Sequence, residues 1–154
     1  FRKNIELLKK ESGKAGTTIA KQQADVGSSL TIQDEKMADL FSRIKEMMSK
    51  QKLYLDSQLT VPRIASKLYV NEKYVSVAIN QSTGHNFNHF VNKLRIDEAK
   101  AVMLDEPYLT LEAVANKSGF NTKSSFNKFF KMYTGLTPSY YRLQSAKEKL
   151  YLKS

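Results

Sequence analysis

A segment of about thirty residues occurs twice in this chain, with the copies about fifty residues apart, and this repeat limits the possible folds more than any other feature. The two copies match at an offset of 50 residues and, after one inserted residue, at an offset of 51. Such a period indicates a duplicated supersecondary unit. The matched pairs are Thr60 and Thr110, Ile64 and Val114, Ala65 and Ala115, Lys67 and Lys117, Val70 and Phe120, Asn71 and Asn121, Lys73 and Lys123, Val75 and Phe126, Ile79 and Phe130, Thr83 and Thr134, Gly84 and Gly135, and Phe90 and Tyr141.

In the first copy, the pattern predicts two short helices joined by a tight turn. Thr60 is placed to cap the first helix, with Pro62 in its first turn, where a missing N–H is tolerated. Asn71 is placed to cap the second helix, over about residues 72–82, and Gly84 ends it.

The second copy repeats these signals. Thr110 caps its first helix, Gly119 makes the turn, Asn121 caps its second helix over about residues 122–133, and Gly135 ends it. Two short helices around a turn form a helix-turn-helix, whose second helix is the recognition helix. An αα-hairpin duplicated only for packing is the simpler alternative. The shared caps and exposed lysines in a basic chain favour the helix-turn-helix.

The composition limits the classes of partner and site. The chain has 154 residues, a formal charge of +10 and a pI near 9.7, which favours nucleic acid or an anionic membrane surface as partner. It has no cysteine, which excludes disulfides, thiolate metal sites and cysteine nucleophiles. No apolar run approaches the ~18 residues of a membrane span. The chain begins at Phe1 without methionine, and we expect it to be a fragment of a longer protein.

The remaining pattern predicts an all-α fold. An amphipathic helix is predicted over residues 34–52. A helix over residues 87–104 is apolar on more than one face, which is typical of a connector packed from both sides. Thr137 and Pro138 begin a last helix, and residues 147–154 are predicted to fray. The predicted parts are a linker at 1–33, a folded domain at 34–146 with helix-turn-helix motifs at about 60–84 and 110–135, and a C-terminal tail at 147–154.

The stretch GF…SFNKFFKMYTGLTPSYYR, together with LRIDEAKAVML, resembles the AraC/XylS family of bacterial transcription regulators over residues 53–142. The resemblance implies a homeodomain-like, all-α domain of about seven helices, in which a long central helix joins two helix-turn-helix subdomains. It implies that the recognition helices enter successive major grooves on one face of the DNA. Grooves one turn apart are separated by ~34 Å, so more closely spaced helices would require a bend in the DNA.

The sequence VNEKYVSVAINQSTGHNFNHFVNKLRIDEA is similar to a branch of the family in which this domain is the C-terminal part of a larger sensor protein. FRKNIELLKKE resembles a juxtamembrane stretch, which implies a cytoplasmic domain of a parent anchored in the inner membrane. The implied partners are double-stranded DNA and, as an option, RNA polymerase. Effector and dimerisation regions are expected upstream of Phe1, and neither a cofactor nor membrane contact is expected for this fragment.

The resemblance also implies which residues contact DNA bases. Many members have arginine where this chain has Val77, and valine offers only an apolar contact to a thymine methyl group. Base recognition by the first motif is therefore expected to be weak or to depend on Lys73 and Ser76. Asn127 suits a bidentate pair with adenine. The base-contact candidates are Lys73, Ser76, Val77, Lys123, Ser124, Asn127 and Lys128.

The helix N-termini are expected to contact phosphates, because their backbone N–H groups attract anions. The alternative is that the residues there only cap their helices. The phosphate-contact candidates are Thr60, Asn71, Asn80, Thr110, Asn121 and Thr122. Lys93 and Lys100 fit a solvated face. Arg95 is predicted to be structural, pairing with a carboxylate between the subdomains.

Two other classes of function are considered. His85 and His89 stand four residues apart, a spacing that suits metal binding on a helix, but His85 precedes the helix and no third ligand is evident. No catalytic triad or pair of carboxylates is recognisable, so an enzyme is not expected. A basic helical module for membrane surfaces or proteins would place basic residues beside an exposed apolar stripe, whereas the repeat uses its apolar positions internally.

Overall fold

The computed structural model describes residues 32–153, and all the regular structure in that range is helical. The all-α prediction is therefore confirmed for this range. The chain divides into two compact parts between Asp39 and Leu40. In the first part, residues 32–39 are helical and Met37 is buried. The linker predicted at 1–33 lies outside the described residues except for 32 and 33, which are helical.

Seven α-helices and one short 3-10 helix form the described chain. The 3-10 helix, Leu53–Leu55, lies between the first two α-helices. The α-helices are α1 at residues 32–51, α2 at Val61–Leu68, α3 at Glu72–Thr83, α4 at Phe87–Asp105, α5 at Leu111–Lys117, α6 at Lys123–Thr134 and α7 at Pro138–Leu152. The pairs α2–α3 and α5–α6 are the two helix-turn-helix units.

Most predicted helix ends are confirmed. The side chains of Asn71, Thr110 and Thr137 each accept a hydrogen bond from a backbone N–H in the first turn of their helices. Gly84 and Gly135 end α3 and α6 with φ of 72° and 75°, a conformation that glycine adopts without a steric penalty. Thr60 occupies the predicted N-cap position of α2, but its side chain makes no capping bond there.

The cap predicted at Asn121 is wrong, because Thr122 occupies that position and its hydroxyl accepts from the N–H of Ser125. The amide of Phe120 bonds to the carbonyl of Ala115 as Val70 bonds to Ala65, so the offset is still 50 at Phe120. The caps Asn71 and Thr122 are already 51 apart. Asn121 is therefore the inserted residue of the second copy.

The helix α4 connects the two units, as its two apolar faces predicted. It packs against α3 on one side and against α5 and α6 on the other. Its residue Ile96 lies in the core of the second unit, where two phenylalanines of α6 are fully buried. In the first unit, Val75, Ala78 and Ile79 of α3 are fully buried.

The conformation of the C-terminal tail differs from the prediction. Residues 147–152 continue α7 instead of fraying. The Nζ atom of Lys149 donates to the carbonyl of Leu104 over 2.9 Å, which holds this part of α7 to the end of α4. Leucine, lysine and glutamate in the segment also favour a helix.

Candidate nucleic-acid interface

The first recognition helix, α3, exposes a short polar face. Its cap, Asn71, accepts from the N–H of Lys73 over 2.8 Å, which fixes the start of the helix. Because Val75 and its neighbours in the core fill the opposite side, Lys73, Ser76 and Asn80 are left exposed, while Val77 is half-buried.

A groove of about 700 Å³ runs between this face and the start of α4. It contains two of the three base-contact candidates on α3, Ser76 and Val77, whereas Lys73 lies outside it. It carries no charged side chain. Its lining residues are Val61, Ser76, Val77, Asn80, Gln81, Asn86, Phe87 and Asn88.

The second recognition helix, α6, is held by its phenylalanines. Phe126 and Phe130 are fully buried and pack edge to face, with ring centroids 5.5 Å apart. The four base-contact candidates on the opposite side, Lys123, Ser124, Asn127 and Lys128, are all exposed. Within residues 32–153, no lysine of α6 forms an ion pair, so these charges are available to an anionic partner.

A second groove, of about 860 Å³, lies between α6 and the start of α7. It contains three base-contact candidates and one further lysine, Lys131. Its lining residues are Lys123, Asn127, Lys128, Lys131, Met132, Thr137, Pro138 and Ser139. With three lysines and no acidic side chain, this groove favours anions.

The two grooves are equivalent under the internal repeat. Moving by 51 residues carries Ser76 onto Asn127, and Asn80 onto Lys131. The same shift carries Asn88, at the start of α4, onto Ser139 at the start of α7. Each helix-turn-helix thus presents one concave surface, built by its recognition helix and the first turn of the next helix.

Several groove residues were not among the sequence candidates. Lys131 follows Asn127 by one helical turn, so helical periodicity alone would have added it. Some of the other omissions, such as Gln81 on α3, lie within the repeated motifs, whereas Asn88 and Ser139 lie at the starts of α4 and α7, outside them. The groove residues missed by sequence reasoning include Gln81, Asn88, Lys131 and Ser139.

The six phosphate-contact candidates lie at exposed positions, but the side chains of three of them are used in capping. Asn71, Thr110 and Thr122 accept from backbone N–H groups, and Thr60 makes no such bond. Asn121 is exposed and does not cap. Asn80 is exposed on α3 and lines the first groove.

Arg95 is structural, but its predicted carboxylate partner is wrong. Its guanidinium donates to the backbone carbonyls of Tyr54 over 2.7 Å and Asp56 over 3.0 Å, and to the Asn92 side chain over 3.2 Å. It also lies 5.8 Å from the ring centre of Phe120. Burial lowers the pKa of Arg95, and the negative charge of Asp56 opposes that shift. The residue ties the loop before α2 to the second unit.

The two histidine rings pack against each other, and His89 also contacts α6. Their rings stack at 5.3 Å, and the hydroxyl of Tyr133 on α6 donates to the carbonyl of His89 over 2.8 Å. Burial raises the pKa of Tyr133. Among the described residues, no group of three or more His, Asp or Glu side chains is placed to hold a metal ion. None of the helices in this range combines the length and apolar content needed to cross a bilayer.

The sequence and the fold of this chain are similar to those of helix-turn-helix transcriptional regulators. A family model described as a helix-turn-helix domain matches residues 64–144, more than half of the chain. An HTH-type transcriptional regulator of Staphylococcus aureus (strain COL) is 29% identical over 102 residues, which are 65% of this chain and 13% of that protein. The chain thus spans only a small part of that relative.

Two solved structures share the fold. The C-terminal domain of AraT, a response regulator from Geobacillus stearothermophilus, is 30% identical with a TM-score of 0.61, covering 68% of this chain and 84% of that one. The DNA-binding domain of AdpA, a global transcriptional factor solved in complex with a target DNA, is 18% identical with a TM-score of 0.60. That match covers 71% of this chain and 94% of the AdpA chain.

Proposed function

Because the chain belongs to the AraC/XylS family of helix-turn-helix regulators, which are DNA-binding proteins and not enzymes, we propose that α3 and α6 read duplex DNA in two successive major grooves. The observation that carries the proposal is the pair of equivalent grooves, each formed by an exposed recognition helix on a buried core. A recognition helix must expose polar groups while its other face fixes its position.

In this proposal, the exposed side chains of the recognition helices contact base edges. Asn127 pairs with adenine, and the lysines reach guanine or phosphate. Ser76 and Lys73 donate to bases, and Val77 contacts a thymine methyl group. The proposed base contacts are Lys73, Ser76, Val77, Lys123, Ser124, Asn127 and Lys128.

The proposed phosphate contacts fix the position of the domain on the duplex. Backbone N–H groups at helix N-termini and the neighbouring hydroxyls and amides would bind phosphate oxygens. The residues are Thr60, Asn71, Asn80, Thr110, Asn121 and Thr122. We further propose a modest bend in the DNA, at a cost of ~1–6 kcal/mol. Gel mobility that is independent of the position of the site in a permuted set of fragments would contradict the bend.

Selection of bound sites from random duplex DNA, with the full chain, tests sequence specificity. The expected result is a two-part site whose halves are ~10 base pairs apart. Asn127→Ala and Lys123→Ala should each change the preferred bases in one half-site, whereas Lys147→Ala, an exposed change on α7, should not. No enriched sequence, or unchanged preferences in both variants, would refute the proposal.

The alternative, a basic module for membrane surfaces, makes an opposite prediction. A comparison of duplex DNA with anionic vesicles over a salt series separates the two. Binding to DNA should be stronger and should weaken steeply with salt, because counterions are released from the duplex. Equal or tighter binding to vesicles would favour the alternative.

The proposed function also concerns the location of this domain and the roles of the other parts of the parent protein. We propose that this domain works in the cytoplasm, and that effector sensing, dimerisation and any inner-membrane anchor reside in other parts of the parent. RNA polymerase is a proposed partner of the assembled regulator. Transcription from a promoter that carries the selected site, with and without the full-length parent, tests this assignment.

A further inference from the structure

The two equivalent grooves differ in charge, although they share a backbone plan. The face of α6 carries Lys123, Lys128 and Lys131, all exposed and all lining its groove. The groove of α3 has uncharged residues throughout. Position by position, Val77 corresponds to Lys128, and Asn80 to Lys131.

Counting whole helices gives the same contrast. The sequence of α6, KSSFNKFFKMYT, contains three lysines and no acidic residue. The sequence of α3, EKYVSVAINQST, contains one glutamate and one lysine, so its formal charge is zero. Because the offset is already 51 at the helix start, Glu72 of α3 corresponds to Lys123 of α6, and the match of Lys73 with Lys123 drawn from the sequence is wrong.

Contacts to phosphates and contacts to base edges affect DNA binding in different, measurable ways. Each lysine that neutralises a phosphate releases counterions and steepens the dependence of log K on log salt by ~0.9. Uncharged hydrogen-bonding groups and apolar contacts release no counterions, but they discriminate between base edges. In a protein with one basic and one neutral groove, the neutralisation of phosphates is therefore concentrated in the basic groove, and the neutral groove can contribute only uncharged contacts to bases.

We propose that the two helix-turn-helix units contribute differently to binding: the α6 groove, besides its base contacts, supplies most of the salt-dependent contact with phosphates, whereas the α3 groove discriminates bases through uncharged contacts alone. The proposal rests on the proposed function. The proposal also predicts a thymine in the first half-site, which is the half-site bound by α3. The C5-methyl group of this thymine would contact Val77. Valine is half-buried in the wall of this groove and presents only methyl groups.

Exchange of equivalent residues between the two grooves tests whether the α6 groove supplies most of the phosphate contacts. Lys131→Asn and Asn80→Lys swap one charge between the grooves at matched, exposed positions. Measured by fluorescence anisotropy with the full chain, Lys131→Asn should make the salt slope shallower by ~0.9, and Asn80→Lys should make it steeper by ~0.9. Over a fourfold range of salt, each change corresponds to about a threefold difference in affinity.

The matched control is Lys147→Ala, which removes an exposed lysine outside both grooves. Its slope should stay close to that of the unaltered chain. If Lys131→Asn lowers the slope no more than Lys147→Ala does, the α6 groove has no special role and the proposal is overturned. Far-UV circular dichroism of each variant confirms that it is folded before the slopes are compared.

Replacement of thymine by uracil tests the contribution of α3, because it removes only the methyl group. In the first half-site, uracil at one position should weaken binding about fourfold, the value of one buried methyl-sized group. Val77→Ala should abolish this sensitivity without changing the salt slope. No uracil effect anywhere in the first half-site would overturn the base-discriminating role of α3.

These outcomes are distinct from failure of the proposed function. If random DNA yields no preferred site, sequence recognition fails, yet the salt slopes on any duplex still report whether α6 is the main phosphate contact. Conversely, a clear two-part site with equal slopes for both exchange variants would leave sequence recognition intact and refute the division between the grooves.

Discussion

Replacement of Gly119 by alanine should destabilise the fold more than the same change at the other helix-ending glycines. Gly119 has φ of 87°, and an added Cβ would lie 2.5 Å from the carbonyl oxygen of Tyr54 and 3.0 Å from the Cα of Leu55. Gly84 and Gly135 have similar φ values, 72° and 75°, but a Cβ there would meet nothing within 4 Å. The three positions thus separate backbone strain from steric overlap.

The magnitude follows from these two contributions. The left-handed conformation costs a non-glycine residue ~1–2 kcal/mol, which applies to all three glycines. At Gly119 the overlap is with backbone atoms, which cannot rotate away, and forced repacking of this kind costs ~1–3 kcal/mol more. Movement of the Tyr54 carbonyl would also strain its 2.7 Å bond from Arg95. We therefore expect a loss of ~2–5 kcal/mol at Gly119 and ~1–2 kcal/mol at Gly84.

Equilibrium unfolding in urea, followed by far-UV circular dichroism, measures these differences. The expected order is a clearly lower midpoint for Gly119→Ala and smaller, equal decreases for Gly84→Ala and Gly135→Ala, all with unchanged m-values. If Gly119→Ala is no worse than the two controls, the close approach of the second turn to the Tyr54 loop does not contribute to stability, and the reasoning fails.

Three further predictions concern stability. Thr122→Ala should cost ~1 kcal/mol in urea unfolding because it removes the cap of α6, whereas Asn121→Ala should change little; the opposite order would restore Asn121 as the cap. Arg95→Lys should cost ~2 kcal/mol because one ammonium group cannot reproduce three guanidinium bonds, and unchanged stability would show that these three bonds do not stabilise the fold. Burial, reinforced by a hydrogen bond to Glu98, raises the pKa of Tyr54 to about 12. Folded Tyr54 therefore keeps its proton where the unfolded chain loses it, so stability should fall as pH rises from ~10 to about 12. Tyr54→Phe should flatten that fall in a series of urea curves.

Local signals predicted much of the helical framework. The caps at Asn71, Thr110 and Thr137 are formed by side chains that bond to N–H groups two or three residues later, so the sequence itself contains both partners. The repeat also predicted the core, since Phe126 and Phe130 are buried at the positions that match Val75 and Ile79.

Tertiary contacts account for most of the errors. Asn121 and Thr122 are adjacent and both are common capping residues, but asparagine ranks above threonine, so propensity alone selects the wrong one. The choice follows from the bond of Phe120 to Ala115 and the burial of its ring, which fix the register of the turn. Arg95 was paired with a carboxylate because charge is visible in a sequence, whereas carbonyls brought close by folding are not.

The grooves were missed in part for the same reason, since one wall of each belongs to the helix after the repeated motif. Sequence reasoning placed the base-contact candidates on the outer faces of the recognition helices, where all except the half-buried Val77 are exposed, but it did not predict a groove there. The first turns of α4 and α7 make it one side of a concave surface. Whether these surfaces bind DNA stays a prediction that the experiments above address.

The two copies of the repeat differ most where their surroundings differ. In the first copy, the left-handed residue of the turn is Tyr69, which is 96% exposed and faces solvent. In the second copy, the equivalent residue is Gly119, where an added Cβ would overlap the carbonyl of Tyr54, and the extra residue Asn121 follows two positions later. Only glycine fits a left-handed position under direct backbone contact, whereas tyrosine is tolerated in the open. The asymmetry of the turns thus has a tertiary cause: the turn of the second helix-turn-helix is packed against the loop that leads into the first.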